Sequence, residues 1–252
     1  MICEINLPGY LAHLHEKKIQ TIILFSVFVL QYLSEHIFPQ QKKYNSNKNE
    51  SFNVFIGIFN AAILFIPSAL IVEMLSRIDK NNFGLLQQFW LPGWASICLT
   101  ILAMDFFMYW WHRLNHIQGF LWRFHRFHHL DEKMNSTTAL RFHTVELLFS
   151  VILKAIVFLL MGFSFIPVLI YEALFFAAIV VHHSNIRITN QLDMLYRKIF
   201  SSPLMHRIHH SNKQKETDSN YGSLFSFWDR IFNSYREKPE EPVVFGVDEK
   251  HS

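Results

Sequence analysis

Four or five stretches of this 252-residue chain are apolar enough to enter a bilayer, and that feature most limits what it can fold into. The runs are 19–33, 52–75, 94–111, 145–161 and 163–181. A helix needs about 20 apolar residues to cross the hydrocarbon. Inside it, backbone N–H and C=O groups must be satisfied within the segment, so continuous apolar runs of this length fold as helices. The first two, separated by the polar segment 40–50, read as a helical hairpin; the last two flank a short turn at Gly162 and read as a second. Lys154 and Glu172 fall inside the second hairpin, where an ion must pair or snorkel unless the hairpin lies partly in the interface. Lys17 and Lys18 precede the first run as in a signal sequence, yet no small-residue cleavage site follows, so the segment reads as an uncleaved anchor.

The segments read as one domain over 1–252: membrane helices in 1–93, a histidine-rich region in 94–235 and a tail in 236–252. With 26 Phe and 6 Trp against 8 Gly and 8 Pro, there is little scope for disorder. A net charge of +3, its cations scattered between apolar runs, argues against nucleic-acid binding. Cys3 and Cys98 stand alone and suggest neither a disulfide nor a thiolate metal site. If the first helix runs outside to inside, most of the 23 Lys and Arg fall on the cytoplasmic side, leaving Lys17, Lys18, Arg77 and Lys80 outside. The His-rich segments then share the cytoplasmic side, giving an integral membrane protein with its active site facing the cytoplasm.

The 15 His are the anomaly. His112-Arg-Leu-Asn-His116 sets two imidazoles one helical turn apart on one face. His125-Arg-Phe-His128-His129 aims three toward a common side, and His206-Arg-Ile-His209-His210 repeats that triplet, with His182-His183-Ser-Asn185 between them. Any one of these residues alone is more simply a hydrogen-bonded core or interfacial side chain. That account fails for a repeated H-x-x-H-H concentrated where apolar runs end. Imidazole suits iron, copper, nickel or zinc, and nine candidate ligands exceed what one tetrahedral zinc uses, so the count fits two metal ions.

These boxes, H-x-x-x-H, H-x-x-H-H and H-x-x-H-H with His-Ser-Asn before the last, resemble the fatty acid hydroxylase and sterol desaturase superfamily of membrane di-iron enzymes. The resemblance runs from Asp105 to Asp229, takes in Asn220-Tyr-Gly and Phe227-Trp-Asp229, and extends to a similar tail at 242–247. It implies an all-α integral membrane helical bundle of about four transmembrane helices, capped on the cytosolic side by helices that carry a histidine-rich dimetal site. It assigns metal ligation to His112, His116, His125, His128, His129, His183, His206, His209 and His210. His143 joins them through Arg141-Phe-His-Thr-Val-Glu146, similar to the family's Arg-x-His-Pro-x-Glu with Thr144 in place of Pro. His182 reads as a spare imidazole or a donor to a ligand. The implied cofactors are two Fe ions, with zinc as a substitute, and dioxygen as co-substrate.

Ligating imidazoles usually donate their other N–H to a carboxylate or carbonyl. Asp105, seven residues before His112 and on the same helical face, is the leading candidate; Glu146, Asp229 and Asn185 follow, and Asn220 is weaker. Trp110, Trp111 and Trp122 read as interfacial anchors. The activity so implied is dioxygen-dependent oxidation, foremost hydroxylation, of a C–H bond in a lipid or sterol-like substrate. A lipid desaturase or an ether-lipid monooxygenase would use the same centre. Acyl-CoA desaturases commonly have a first box one residue longer than His112 to His116. The sequence shows no electron-transfer module, so electrons are expected from a separate protein, cytochrome b5-like or a ferredoxin with its reductase. No H-E-x-x-H supports a zincin, and a membrane metal transporter, the non-enzyme alternative, would distribute ligands along the transmembrane path.

Overall fold

The computed structural model describes residues 7–44 and 46–248, with side chains from residue 15 onward; Cys3 lies outside the described residues. Helices α1 (Leu7–Ile37), α2 (Asn47–Ile63), α3 (Phe65–Asn81), α4 (Gly93–Ile117), α6 (Thr144–Met161) and α7 (Phe165–His183) build the bundle, with α5 (Gly119–His129) following α4 across its end. The short helices α8 (Asn190–Tyr196), α9 (Pro203–His209), α10 (Gln214–Thr217) and α11 (Phe227–Ile231) gather at that same end. No strand forms among the described residues, only isolated bridges such as Pro39 with Ile186. By length and apolarity four helices suffice to cross a membrane: α1 from His15, α4, α6 and α7. The helix pair α2 and α3, bent by 51° between them, together has the length and apolarity of a fifth span.

That bend has a local cause. Pro67 has no N–H to donate and its ring crowds the carbonyl one turn back, at Ile63, so the uninterrupted helix expected over 52–75 breaks at Leu64. At the end of the bundle remote from the histidines, two turns lock together through glycine. Gly162 ends α6 at φ 69° and Gly84 follows α3 at φ 102°; a Cβ on Gly84 would stand 2.3 Å from the Gly162 Cα, which leaves room for no other residue.

Chain direction alternates, so α1, α4 and α7 all end at the histidine pole, whereas α2 and α6 start there. Helix α7 packs against both α1 and α4. Gln20 donates to the Leu169 carbonyl (2.8 Å) and the Asn185 N–H donates to Glu35 (2.7 Å), which holds α1 and α7 parallel and in register. The apolar core, including Leu75, Ile78, Met104, Phe158, Phe165 and Tyr171, lies between α3, α4, α6 and α7. Outside it, Phe25, Leu30, Phe55, Ile152 and Leu160 point away from the protein, as side chains bathed by lipid do. Trp90 and Trp94 are exposed at the remote end, where indoles suit a headgroup layer. Lys154 and Glu172 resolve their burial problem by pairing with each other at 2.9 Å.

Candidate metal centre

The histidine boxes converge from four elements. His112 and His116 occupy the last turns of α4, His125, His128 and His129 lie on α5, His183 ends α7, and His206 and His209 lie on α9 with His210 just after it. Nine imidazoles assemble into two groups, and within each the ligand atoms lie within 4.8 Å of one another. The first group holds His112, His116, His125, His129 and His209; the second holds His128, His183, His206 and His210.

Helical geometry explains the partition. Successive residues turn by about 100°, so i and i+4 differ by only about 40° while i+3 falls about 60° to the other side. The pair His125 and His129 therefore stays together in the first group while His128 crosses to the second, and His206 and His210 stay together in the second while His209 crosses to the first. Each H-x-x-H-H box feeds both groups, where the spacing alone suggested one common side.

Donor chemistry tests whether these residues fit a metal. Carbonyl oxygens of Arg141 and Ile179 lie 3.1 Å from His128 Nδ1 and 2.7 Å from His183 Nδ1, which places a proton on each Nδ1. Both Nε2 atoms are then bare lone pairs facing each other at 2.9 Å, unable to hydrogen-bond, and His206 Nε2 is 3.0 Å from that of His183. Two imidazoles bound at right angles about 2.1 Å from one metal stand ~3.0 Å apart. In the first group, His112, His125 and His209 offer Nδ1 to the Tyr221 carbonyl (2.8 Å), the Glu146 carboxylate (2.8 Å) and the Ser219 carbonyl (2.7 Å). The buried Nε2 atoms of His116, His125, His129, His209 and His210 have no protein partner. Burial, reinforced by neighbouring imidazoles, holds His128, His129, His206, His209 and His210 well below the usual imidazole pKa, so they stay neutral, the form that binds metal. The residues fit a metal-binding centre with two subsites.

A cavity of about 420 Å³ opens onto both groups. His112, His125, His128, His183 and His206 line one end, Leu64, Leu140 and Phe176 line its apolar walls, and Lys154 and Glu172 lie farther along α6 and α7. Its size and apolar lining suit a lipid chain.

The remaining candidates fall in different places. Glu146 stands beside an imidazole, that of His125. Asp105 does not: its carboxylate accepts from the Leu224 and Phe225 N–H groups (both 3.0 Å) and from Trp228 Nε1 (2.9 Å), because the segment after the third box folds back over that face of α4. Asp229 likewise takes the Tyr221 and Gly222 N–H groups (2.8 and 2.9 Å), fixing the loop whose Tyr221 carbonyl holds His112. Asn185 ties the end of α7 to Gln41, and Asn220 joins α9 to the Arg236 carbonyl. His143 lies outside both groups, its Nδ1 accepting from the Val145 N–H (3.1 Å) as the N-cap of α6; Thr144, at the proline position, bonds Asn60 (2.7 Å). His182 is buried against His206 but also outside the groups. Trp111 is buried and lines the cavity, so it is not an interfacial anchor, and the half-buried Trp122 packs on His116 and His129.

Among the described residues, five buried carboxylates lie outside the candidate set: Glu35, Glu50, Asp131, Asp193 and Glu216. Glu35 accepts from the Ser136 N–H and hydroxyl and from the Asn185 N–H, and Asp131 gathers Asn49, Asn53 and Thr138. Asp105 stood out as a lone acid inside an apolar run, seven residues before His112, whereas Glu35 falls just past the end of the 19–33 run and next to no histidine box.

Residues 97–234 match the fatty acid hydroxylase family. The chain is 27% identical to ornithine lipid hydroxylase OlsE of Rhizobium tropici over 86% of its own length and 67% of that protein's. It is 32% identical to alkylglycerol monooxygenase of Xenopus tropicalis, and 31% identical to that of Homo sapiens, over 70% of its length in both cases. It spans only 38% of each of those two proteins. No solved structure matches the chain.

Proposed function

Because the chain belongs to the fatty acid hydroxylase family, we propose that it is a membrane oxygenase that hydroxylates a C–H bond of a lipid at a pair of histidine-held irons. One observation supports this above the rest: nine imidazoles, eight of them buried and His112 half-buried, form two adjoining groups at the end of an apolar cavity. In this reading His112, His116, His125, His129 and His209 hold one iron and His128, His183, His206 and His210 the other. Iron bound there would activate dioxygen and supply the oxidant for an unactivated C–H bond.

The chain's own residues do the rest. Glu146 and the carbonyls of Tyr221, Ser219, Arg141 and Ile179 orient the imidazoles. Asp105 and Asp229 hold the 221–228 segment over α4. The cavity walls exclude water and take the hydrocarbon, which passes from one apolar surrounding, the bilayer, to another. Electrons come from a separate reductase partner, and the histidine pole faces the cytoplasm.

The relatives named alkylglycerol monooxygenase favour a second substrate reading, an ether lipid attacked at the carbon beside its ether oxygen. One experiment tests both. The iron-loaded protein is reconstituted in lipid with a reductant system and labelled dioxygen, and extracted lipids are read by mass spectrometry. Label in a hydroxyl supports hydroxylation, and release of a fatty aldehyde supports the ether reading. Loss of two hydrogens without label reassigns the reaction to desaturation. Oxygen-independent turnover, or activity only on soluble polar compounds, refutes the proposal.

A further inference from the structure

Arg207 sits inside the third histidine box but faces the other way. It is 7% exposed, and its guanidinium donates to one neutral acceptor, the Ser184 carbonyl at 3.0 Å. Among the described residues no carboxylate reaches ion-pair distance. Asp193 is engaged by Arg197. Glu35 lies beyond the Ser184–Asn185 peptide and is taken by Ser136 and the Asn185 N–H. The remaining donors of Arg207 meet no protein acceptor among the described residues and are open to the adjoining cavity, where an anion can complete them.

The side chain lines a cavity of about 570 Å³, separate from the one that reaches the histidines. Around it stand Gln40, Gln41, Asn190, Arg197 and the exposed Lys238, all able to donate. Glu237, the acidic side chain in the lining, lends its backbone carbonyl to Arg197. The cavity opens beside α8, whose Leu192 and Leu195, with Ile199 just beyond, form an exposed apolar stripe near the exposed Phe38. Such a stripe suits the boundary between headgroups and hydrocarbon.

We propose that this cavity binds an oxyanion, a phosphate or carboxylate group, which completes the hydrogen bonding of Arg207 with Lys238 at its edge. A guanidinium fork matches either group, and charge-assisted bonds to it are the strong ones. The anion arrives free or as a lipid headgroup, and the site does not depend on the oxidation chemistry proposed above.

The test uses the full chain in detergent. Inorganic phosphate, titrated against sodium chloride of equal ionic strength, should raise Tm by about 5–10 °C at 100 times its half-saturating concentration, and R207Q should lose that rise. In a second arm, nanodiscs of phosphatidylcholine with and without phosphatidic acid are compared; an Arg207-dependent rise confined to this arm identifies a lipid headgroup as the source. Should R207Q fail to fold, K238M replaces it, with an expected tenfold weaker response to the same probe. Absence of a rise with both probes, or a rise undiminished in the variant, overturns the site.

Discussion

Removing the carboxylate of Glu146 should loosen one metal subsite and leave the other intact. Its Oε1 lies 2.8 Å from His125 Nδ1, and the side chain is 5% exposed, so water does not replace it readily. Loss of such a partner typically weakens metal binding about 10–100-fold, or about 1.4–2.7 kcal/mol. E146Q retains an acceptor and loses only the charge, which places it near tenfold. E146A leaves a buried imidazole N–H unpaired, a cost of about 1–3 kcal/mol by itself, and belongs near a hundredfold. His125 belongs to the group with His112, His116, His129 and His209, so a chelator titration followed by elemental analysis should become biphasic, about half of the metal leaving early. E132Q, at an exposed carboxylate, is the control. A folded E146A protein that gives up its metal at the wild-type chelator concentration would refute the argument.

H128A and H209A should each lose metal, whereas H143A should keep it and lose about 1 kcal/mol of stability with the α6 cap, a contrast read by elemental analysis beside Tm. D105N should stay in the membrane but unfold more easily by about 1–3 kcal/mol, since the amide turns a donor toward N–H groups that need an acceptor; unchanged thermal unfolding would count against it. Burial pushes the Asp229 carboxyl from its usual 3.8 up to about 6, despite hydrogen bonds from Ser234 and two N–H groups. Its contribution is therefore full below about pH 4 and lost as pH rises through 6, up to about 3 kcal/mol, so the Tm advantage of wild type over D229N should shrink across that window. A cysteine at Lys213 should resist an impermeant external reagent in intact cells while one at Asn82 reacts; the reverse pattern would invert the orientation.

Much of this protein is local in origin and so is written in the chain order. The length of an apolar run makes a segment long enough to cross lipid as a helix, because backbone pairing in hydrocarbon has no other solution for a single segment, but it does not show the break at Leu64 within 52–75. The spacing of His112 with His116, and of each H-x-x-H-H box, settles which imidazoles lie near one another on a helix, because 3.6 residues make a turn. The nine that assemble are the nine that the boxes pointed to. Which helix faces meet is a different kind of fact. The split into five and four depends on how α5 and α9 are rotated against α4 and α7, and packing among distant segments sets that rotation. Asp105 shows the limit: its helical face agreed with a role beside His112, but the return of 224–228 across α4 captured its oxygens first. Lys154 and Glu172, 18 residues apart and awkward as separate ions in lipid, become a pair only when α6 and α7 fold against each other. Glu35 and Ser136 meet across 101 residues, and Arg207 acquires its cavity from the α1–α2 loop, α8 and the tail. Local periodicity determines what each helix can present; only the tertiary structure decides what it is presented to, because those contacts depend on the whole chain packing at once.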